Sequence, residues 1–453
     1  MKALLRERFS EIFPECHDLF LVRAPGRINL IGEHTDYNGL PVLPMAINRE
    51  IILVAAPRDD AVVELHNTNP CFEPRAFTIS SDIEPYQLGD WGNYAKAAVQ
   101  ALHRHFARDV SRLQGLRALV DGNVPMASGL ASSSALVVAF ALAFLNANNL
   151  SMEPQTLAEL LAEGEQYVGT RGGGMDQAVC LMAQAGHALK IEFFPTRVEQ
   201  IPIPPGYSFV VCHSMVEAPK TLSARRAYNV RAAESRLAAA LLGKALSRKM
   251  QNRMVAIERL GDLYSTDLHL SEAEIDFLLQ ETFLKDNYTL GEIAYMLGAS
   301  EDFVCRKYLS AFSPEEARTL DRLKLRSRSR HVLSEGRRVR QAAEALRVSE
   351  MNEFGKLMYE SHESCATDYE VSIPELDALV AIARESGALG SRLTGAGFGG
   401  CTISLVENAL VEGFVRLLER SHSRGGDRTE KGNLTFDDRI FVAKPMPAAM
   451  VLR

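Results

Sequence analysis

The sequence lacks a surplus of positive charge, a membrane-length apolar run, any paired-cysteine motif and nearly all tryptophan. Its formal charge of −7 and pI near 5.9 exclude a protein that grips nucleic acid or anionic lipid through a general positive field. Any phosphate must therefore be held by a local device. Seven cysteines scattered from Cys16 to Cys401, with no CxxC spacing or Cys/His cluster, argue against a disulfide scaffold or zinc site and suit reduced thiols. The longest apolar run, Ala135 to Leu145, is shorter than the roughly 20 residues that cross a bilayer and reads as a buried helix. Charges interleaved with Leu4, Leu5, Phe9, Ile12 and Phe13 make the N-terminal segment an amphipathic helix rather than a signal sequence. A cytoplasmic protein with no membrane partner is expected. A Gly-Lys-Ser/Thr Walker loop is absent, as are the DFG and HRD segments of protein kinases.

What is present is an ordinary globular composition, 47% hydrophobic and 24% charged over 453 residues. That length suggests two joined lobes, divided near residue 200 where Pro202, Pro204, Pro205 and Gly206 cluster. The first lobe, 1–200, opens with strand patterns at Leu19–Arg23 and Arg27–Ile31, broken by Ala24-Pro25-Gly26. Helical and strand patterns then alternate, so an α+β fold of sheets packed against helices is expected. The second lobe, 201–453, holds a helical insertion at about 245–325 and ends in a β/α/β region from Leu393 to Val442.

Three segments carry chemistry. In Arg23 to Asn38, RAPGRINLIGEHTDYN, a tight turn concentrates Arg27, Glu33, His34 and Asp36 where strands end. Carboxylates accept from adjacent sugar hydroxyls, and an arginine stabilises charge on a transferring phosphoryl group. A surface turn with an ordinary ion pair explains any one of these residues alone. The second segment, Asp121 to Ala135, sets Pro125, Ser128, Gly129, Leu130, Ala131, Ser132, Ser133 and Ser134 directly before the buried helix. Small residues let backbone N–H groups approach a polyphosphate at a helix N-terminus, and the serines either cap that helix or ligate Mg²⁺. A plain serine-capped core helix is the equal alternative. The third joins Glu165 to Gly172-Gly-Gly-Met-Asp-Gln177. Phosphoryl transfer needs a metal held by oxygens and an acceptor hydroxyl oriented in line, and Glu165 and Asp176 can divide those jobs. Asp176 either orients the hydroxyl or removes its proton.

Taken in order, these segments resemble the motifs of the GHMP kinase superfamily, specifically its galactokinase and N-acetylgalactosamine kinase branch. Gly390 to Cys401 is similar to the third superfamily motif. The resemblance implies a two-lobed fold with mixed sheets and an ATP-dependent kinase acting on the C1 hydroxyl of galactose or N-acetylgalactosamine. It places Arg27 and Asp176 beside the transferred phosphoryl and sugar hydroxyl, and Glu33, His34, Asp36, Gly173 and Tyr228 facing the sugar. It gives Mg²⁺ to Ser132 or Ser133 with Glu165, and sets Trp91 beside adenine, although a core anchor explains Trp91 equally well. Ala127 and Ala131 depart from the motif, where glycine or serine is usual. A monomer or weak homo-oligomer is expected. The rivals are a non-catalytic sugar and nucleotide sensor on the same fold and a kinase for arabinose or galacturonate.

Three further features invite other readings. The GxGxxG within Leu393 to Cys401 lacks dinucleotide-binding context, because Cys401 to Val406 reads as a strand and a helix precedes the glycines. A loop folded against the active site fits better. Tyr288 to Val304 has helix-turn-helix spacing, but Asp286, Glu292, Glu301 and Asp302 would face phosphates, so no nucleic-acid partner is expected. The basic run from Arg322 to Arg340 reads as a solvated helix face.

Overall fold

A computed structural model describes residues 2–106, 113–168, 173–217, 222–250, 255–320, 322–424 and 436–452. Its first sheet has the strand order Met450–Leu452, Phe20–Asn29, Pro44–Pro57, Leu116–Gly122, Val62–Asn67, Arg75–Thr78. Neighbours are antiparallel except Val62–Asn67 and Leu116–Gly122, which run parallel, so the sheet is mixed. Period-2 alternation divides its side chains between two layers. Val22, Leu53 and Ala55 face the main core with the helices Gly92–Phe106, Ser132–Ala147 and Met175–Met182. Leu21, Ile52, Val54 and Ala56 face the N-terminal helix Lys2–Ile12, which inserts Leu5 and Phe9 while Leu4 and Ile12 stay exposed.

The strand break expected at Ala24-Pro25-Gly26 is instead a bulge. Phe20–Asn29 is one strand whose register shifts between Pro25 and Arg27, where proline has no N–H for the ladder. The second sheet, Gly390–Thr394, Cys401–Glu407, Tyr207–His213 and Ile440–Ala443, is antiparallel throughout. Phe209, Val211, Ile403 and Leu405 on one of its faces share the main core, joined through Phe354 and Met358 of the helix Met351–Thr367. The glycines of the GxGxxG therefore link two antiparallel strands, and the element immediately before them is a strand, not the helix expected.

A separate helical core carries the insertion. Its helices Glu272–Thr282, Leu290–Leu297, Glu301–Tyr308 and Pro314–Arg318 begin at Ser271, Thr289, Ser300 and Ser313, each accepting a first-turn N–H. The solvated face expected for the basic run fails at Arg328. In the helix Leu325–Arg347, Arg328 is only 1% exposed, donating to Glu234 at 2.8 Å and Glu370 at 2.7 Å. Arg338 is likewise drawn in by Glu335 at 2.7 Å. Glu234 and Glu370, distant in sequence, neutralise Arg328, so helical position alone misplaced it.

Candidate functional site

The loop from Pro125 to Ala131 leads into the apolar helix Ser132–Ala147. Ala127, Gly129 and Ala131 all take left-handed φ values, 53°, 79° and 61°. The two alanines that depart from the motif thus occupy backbone where glycine is favoured. The helix has no side-chain cap, which removes the serine-capped alternative. Its first intrahelical donor is Ala135, bonding to Ala131 O at 3.0 Å, so the N–H groups of Ser132, Ser133 and Ser134 have no intrahelical partner. They form the kind of N-terminus that attracts anionic oxygens. Ser128 Oγ donates to Pro125 O at 2.6 Å and stiffens the turn. The third-motif loop closes on this one so tightly that a Cβ on Gly129 would lie 2.7 Å from Thr394 O, and one on Gly395 2.7 Å from Gly129 O.

Arg27 follows the bulge, 5% exposed, and its N–H bonds to Leu130 O at 3.1 Å. Its guanidinium donates to Gly129 O and, through Nε, to Asp176 Oδ1 at 2.7 Å across 149 residues of sequence. Asp176 sits in the first turn of Met175–Met182, where the helix field favours a carboxylate. The preceding turn approaches the signature closely. Gly173 N donates to Asp36 Oδ2 at 3.0 Å, and a Cβ on Gly173 would fall 2.4 Å from Tyr37 N. Gly172 lies outside the described residues.

The acids beside Asp176 are held against their ionised forms. Burial, then the charge of Asp176, pushes Glu165 up to about 7 despite a hydrogen bond from Ser134 Oγ at 2.8 Å. Burial likewise pushes Asp36 up to about 6, with Asp176 and Glu33 adding to it against N–H bonds from Tyr37 and Gly173. The hydroxyl nearest Glu165 is that of Ser134, whereas the sequence pointed to Ser132 or Ser133; the hydroxyls of those two make no hydrogen bond among the described residues. No group of three or more His, Cys, Asp or Glu side chains that could hold a metal occurs among the described residues. Mg²⁺ binds through one or two carboxylates plus substrate phosphates and water rather than an all-protein cage. An acid as destabilised as Glu165 fits a cation.

Around the signature the side chains are largely committed to one another. Glu33, 1% exposed, accepts from Arg392 Nη1 at 3.1 Å, Gly395 N at 2.8 Å and Asn29 Nδ2. Burial still raises its pKa against the pull of Arg392 and Arg27. His34 contacts Tyr37 Oη through Nδ1 at 2.9 Å and Ala396 O through Nε2 at 3.1 Å. Its ring packs against Tyr228 at 5.6 Å, and burial raises the pKa of Tyr228 well above the usual range, so its hydroxyl stays a donor. Trp91 belongs to the main core, 6% exposed, with Phe72 beside it at 5.9 Å and its indole N–H bonded to Glu73 O at 2.9 Å. Those are the contacts of a core anchor.

Sequence reasoning missed the frame that holds the signature. Glu335 accepts from Gly32 N at 2.9 Å, His331 Nε2 donates to Glu33 O at 3.1 Å, and Arg392 Nη1 donates to Asn29 O at 3.1 Å. Thr394 Oγ1 accepts from Asn29 N at 2.9 Å. Burial pushes Glu335 up, but Arg338 and Arg392 outweigh it and hold the carboxyl down at about 2. The available signal was the charge of Arg392 inside an otherwise uncharged and glycine-rich third motif.

Comparison with known proteins now bears on this geometry. The galactokinase galactose-binding signature matches residues 7–57, the N-terminal domain of GHMP kinases 93–184, and the GHMP C-terminal domain 342–417. The galactokinase of Dictyostelium discoideum is 36% identical, the match covering 99% of this chain and 93% of that one. The chain belongs to the galactokinase family. Galactokinase from Saccharomyces cerevisiae is 33% identical, over 94% of this chain and 90% of its own. Lactococcus lactis galactokinase, solved as a complex with galactose, superposes with a TM-score of 0.75 at 27% identity, covering 99% of both chains. Mevalonate kinase from Methanococcus jannaschii, at 17% identity and a TM-score of 0.54, shares the fold alone. Membership of the galactokinase family makes the protein a sugar 1-kinase that uses ATP. No helix among the described residues is long and apolar enough to cross a membrane.

Proposed function

We propose that this chain transfers the γ-phosphoryl group of MgATP to the anomeric C1 hydroxyl of galactose. The observation that carries the reading is the contact between Arg27 and Asp176, 2.7 Å long and set between the phosphate loop and the signature. In this role the Asp176 carboxylate accepts a hydrogen bond from the anomeric hydroxyl and aims its oxygen, while Arg27 stabilises charge on the moving phosphoryl group. Asp36, the Gly173 turn and Tyr228 orient the remaining hydroxyls, with Glu33 and His34 beneath them. The free N–H groups of Ser132, Ser133 and Ser134 receive phosphate oxygens, with Pro125, Ser128, Gly129, Leu130 and Ala131 shaping the cradle. Glu165 with Ser134, or one of the two preceding serines, would hold Mg²⁺, which neutralises phosphate charge when bound.

Galactose is favoured over a uronic acid because Arg27, Arg231 and Arg392 already face carboxylates or carbonyls. It is favoured over N-acetylgalactosamine by the names of the relatives. The test is to incubate purified protein with MgATP and galactose, N-acetylgalactosamine, arabinose or galacturonate, and to measure ADP release. Galactose should turn over fastest. A faster rate with any of the other three would replace galactose as substrate, and no turnover with any of them would support a sensor.

A further inference from the structure

Behind the signature, three residues given no role above, Tyr37, Tyr369 and Ser235, form a chain of hydroxyls that ends on His34. Tyr37 Oη lies 2.9 Å from His34 Nδ1, Tyr369 Oη 2.8 Å from Tyr37 Oη, and Ser235 Oγ 3.1 Å from Tyr369 Oη. On the far side of the imidazole, Nε2 lies 3.1 Å from Ala396 O. A carbonyl can only accept, so Nε2 carries the hydrogen, and the neutral ring offers a lone pair at Nδ1. Tyr37 must donate to that lone pair. Its oxygen is then left to accept from Tyr369, beyond which Ser235 Oγ lies within reach of both Tyr369 Oη and the Arg231 carbonyl, each at 3.1 Å. One carbonyl thus fixes the direction of the Tyr37 and Tyr369 protons. Burial, with the nearby charge of His331, lowers His34 to about 3 and keeps it neutral. Tyr369 is fully buried, its ring between His34 at 4.8 Å and His331 at 4.5 Å.

We propose that Tyr369, acting through Tyr37, is a positioning residue that holds His34 in the Nε2–H tautomer and so keeps the sugar signature latched to the Ala396 turn. The opposite tautomer would set the Nε2 lone pair against Ala396 O. Ala396 adjoins Gly395, which backs directly onto Gly129, so the latch joins the sugar end of the site to its phosphate end. Its kinetic consequence rests on the function proposed above; the tautomer itself does not.

The first test is nitrogen NMR of protein carrying ¹⁵N-labelled histidine rings, with His34 assigned by the signal lost in His34→Asn. Wild type should show His34 as Nε2–H, and Tyr37→Phe a mixture of tautomers. Finding Nδ1–H in wild type would overturn the proposal without reference to activity. The second test is kinetic. Tyr369→Phe keeps the stacked ring but removes the hydroxyl, and should raise the KM for galactose about fivefold; Tyr37→Phe should raise it about tenfold. Because both act along one chain, the double variant should stay near tenfold rather than reach the product of the two, with kcat and the KM for ATP within about twofold of wild type. Multiplicative effects, or equal rises in both KM values, would overturn the latch. Wild-type protein that phosphorylates no galactose would defeat the functional reading instead, and the tautomer would then decide the positioning claim alone.

Discussion

Glu165 and Glu335 are both buried carboxyls near the site, yet their surroundings treat them in opposite ways. Glu165 at the phosphate end has a hydroxyl and another acid for neighbours, and its pKa rises to about 7. Glu335 behind the signature has two arginines, and its pKa falls to about 2. The phosphate end is built from local backbone, small residues and acids that gain from an incoming cation. The signature end is neutralised from within the fold by charges that arrive from the C-terminal half. Seated between them, Glu33 shares both characters, raised by burial yet bonded to Arg392. A kinase gains from this division, because rigid polar framing fixes the sugar while the phosphate end completes its electrostatics with MgATP.

The largest expected effect belongs to the residue where the two ends meet. Asp176→Asn should lower kcat about 10²- to 10⁴-fold, while calorimetry shows galactose and ATP affinities within about threefold. Near-wild-type turnover would remove Asp176 from the chemistry. Next comes the frame: Arg392→Ala leaves Glu33 and Glu335 without their shared cation and should cost about 3–5 kcal/mol of stability by denaturant unfolding. A loss under about 1 kcal/mol would mean that the buried pairs do not hold the signature.

The pH dependence should separate the two carboxyls by sign. Folding raises Glu165 from 4.5 to about 7, so its ionised form costs stability as pH climbs through that window. Glu165→Gln should therefore gain on wild type between those pH values, by up to about 3 kcal/mol in the absence of nucleotide. Folding lowers Glu335 from 4.5 to about 2, so its contribution is fully present above 4.5 and is lost as pH falls toward 2. Glu335→Gln should consequently be least stable relative to wild type above 4.5 and approach it in acid. Thermal unfolding of the three proteins across pH measures both, and parallel curves would erase the distinction. The smallest effect is at Ala131, whose φ of 61° favours glycine. Ala131→Gly relieves that strain but adds unfolded-chain entropy, so stability should change by less than about 1 kcal/mol; a larger loss would show that the alanine packs the loop.

The same division explains what the sequence revealed. The phosphate loop, the helix Ser132–Ala147 and the turn before Asp176 are contiguous, so their small residues and apolar run display the backbone they form. Joining Arg27 to Asp176 required the motif resemblance, since periodicity says nothing about a contact 149 residues long. The frame stayed hidden for a related reason. Arg392 meets Glu33 across 359 positions and Glu335 meets Gly32 across 303, and nothing local marks either side chain as buried. The error over Arg328 has this origin too, because a helical arginine reads as solvated until the fold brings Glu234 and Glu370 to it. Trp91 was undecided between nucleotide and core because a single aromatic residue serves either place equally well.

The most direct test of the account is a crystal structure of the protein with galactose and a non-hydrolysable ATP analogue. The anomeric oxygen should lie within hydrogen-bonding reach of the Asp176 carboxylate, with the terminal phosphorus in line beyond it and Arg27 alongside. A sugar bound with its C6 hydroxyl in that place, or bound away from Arg27 and Asp176 altogether, would contradict it.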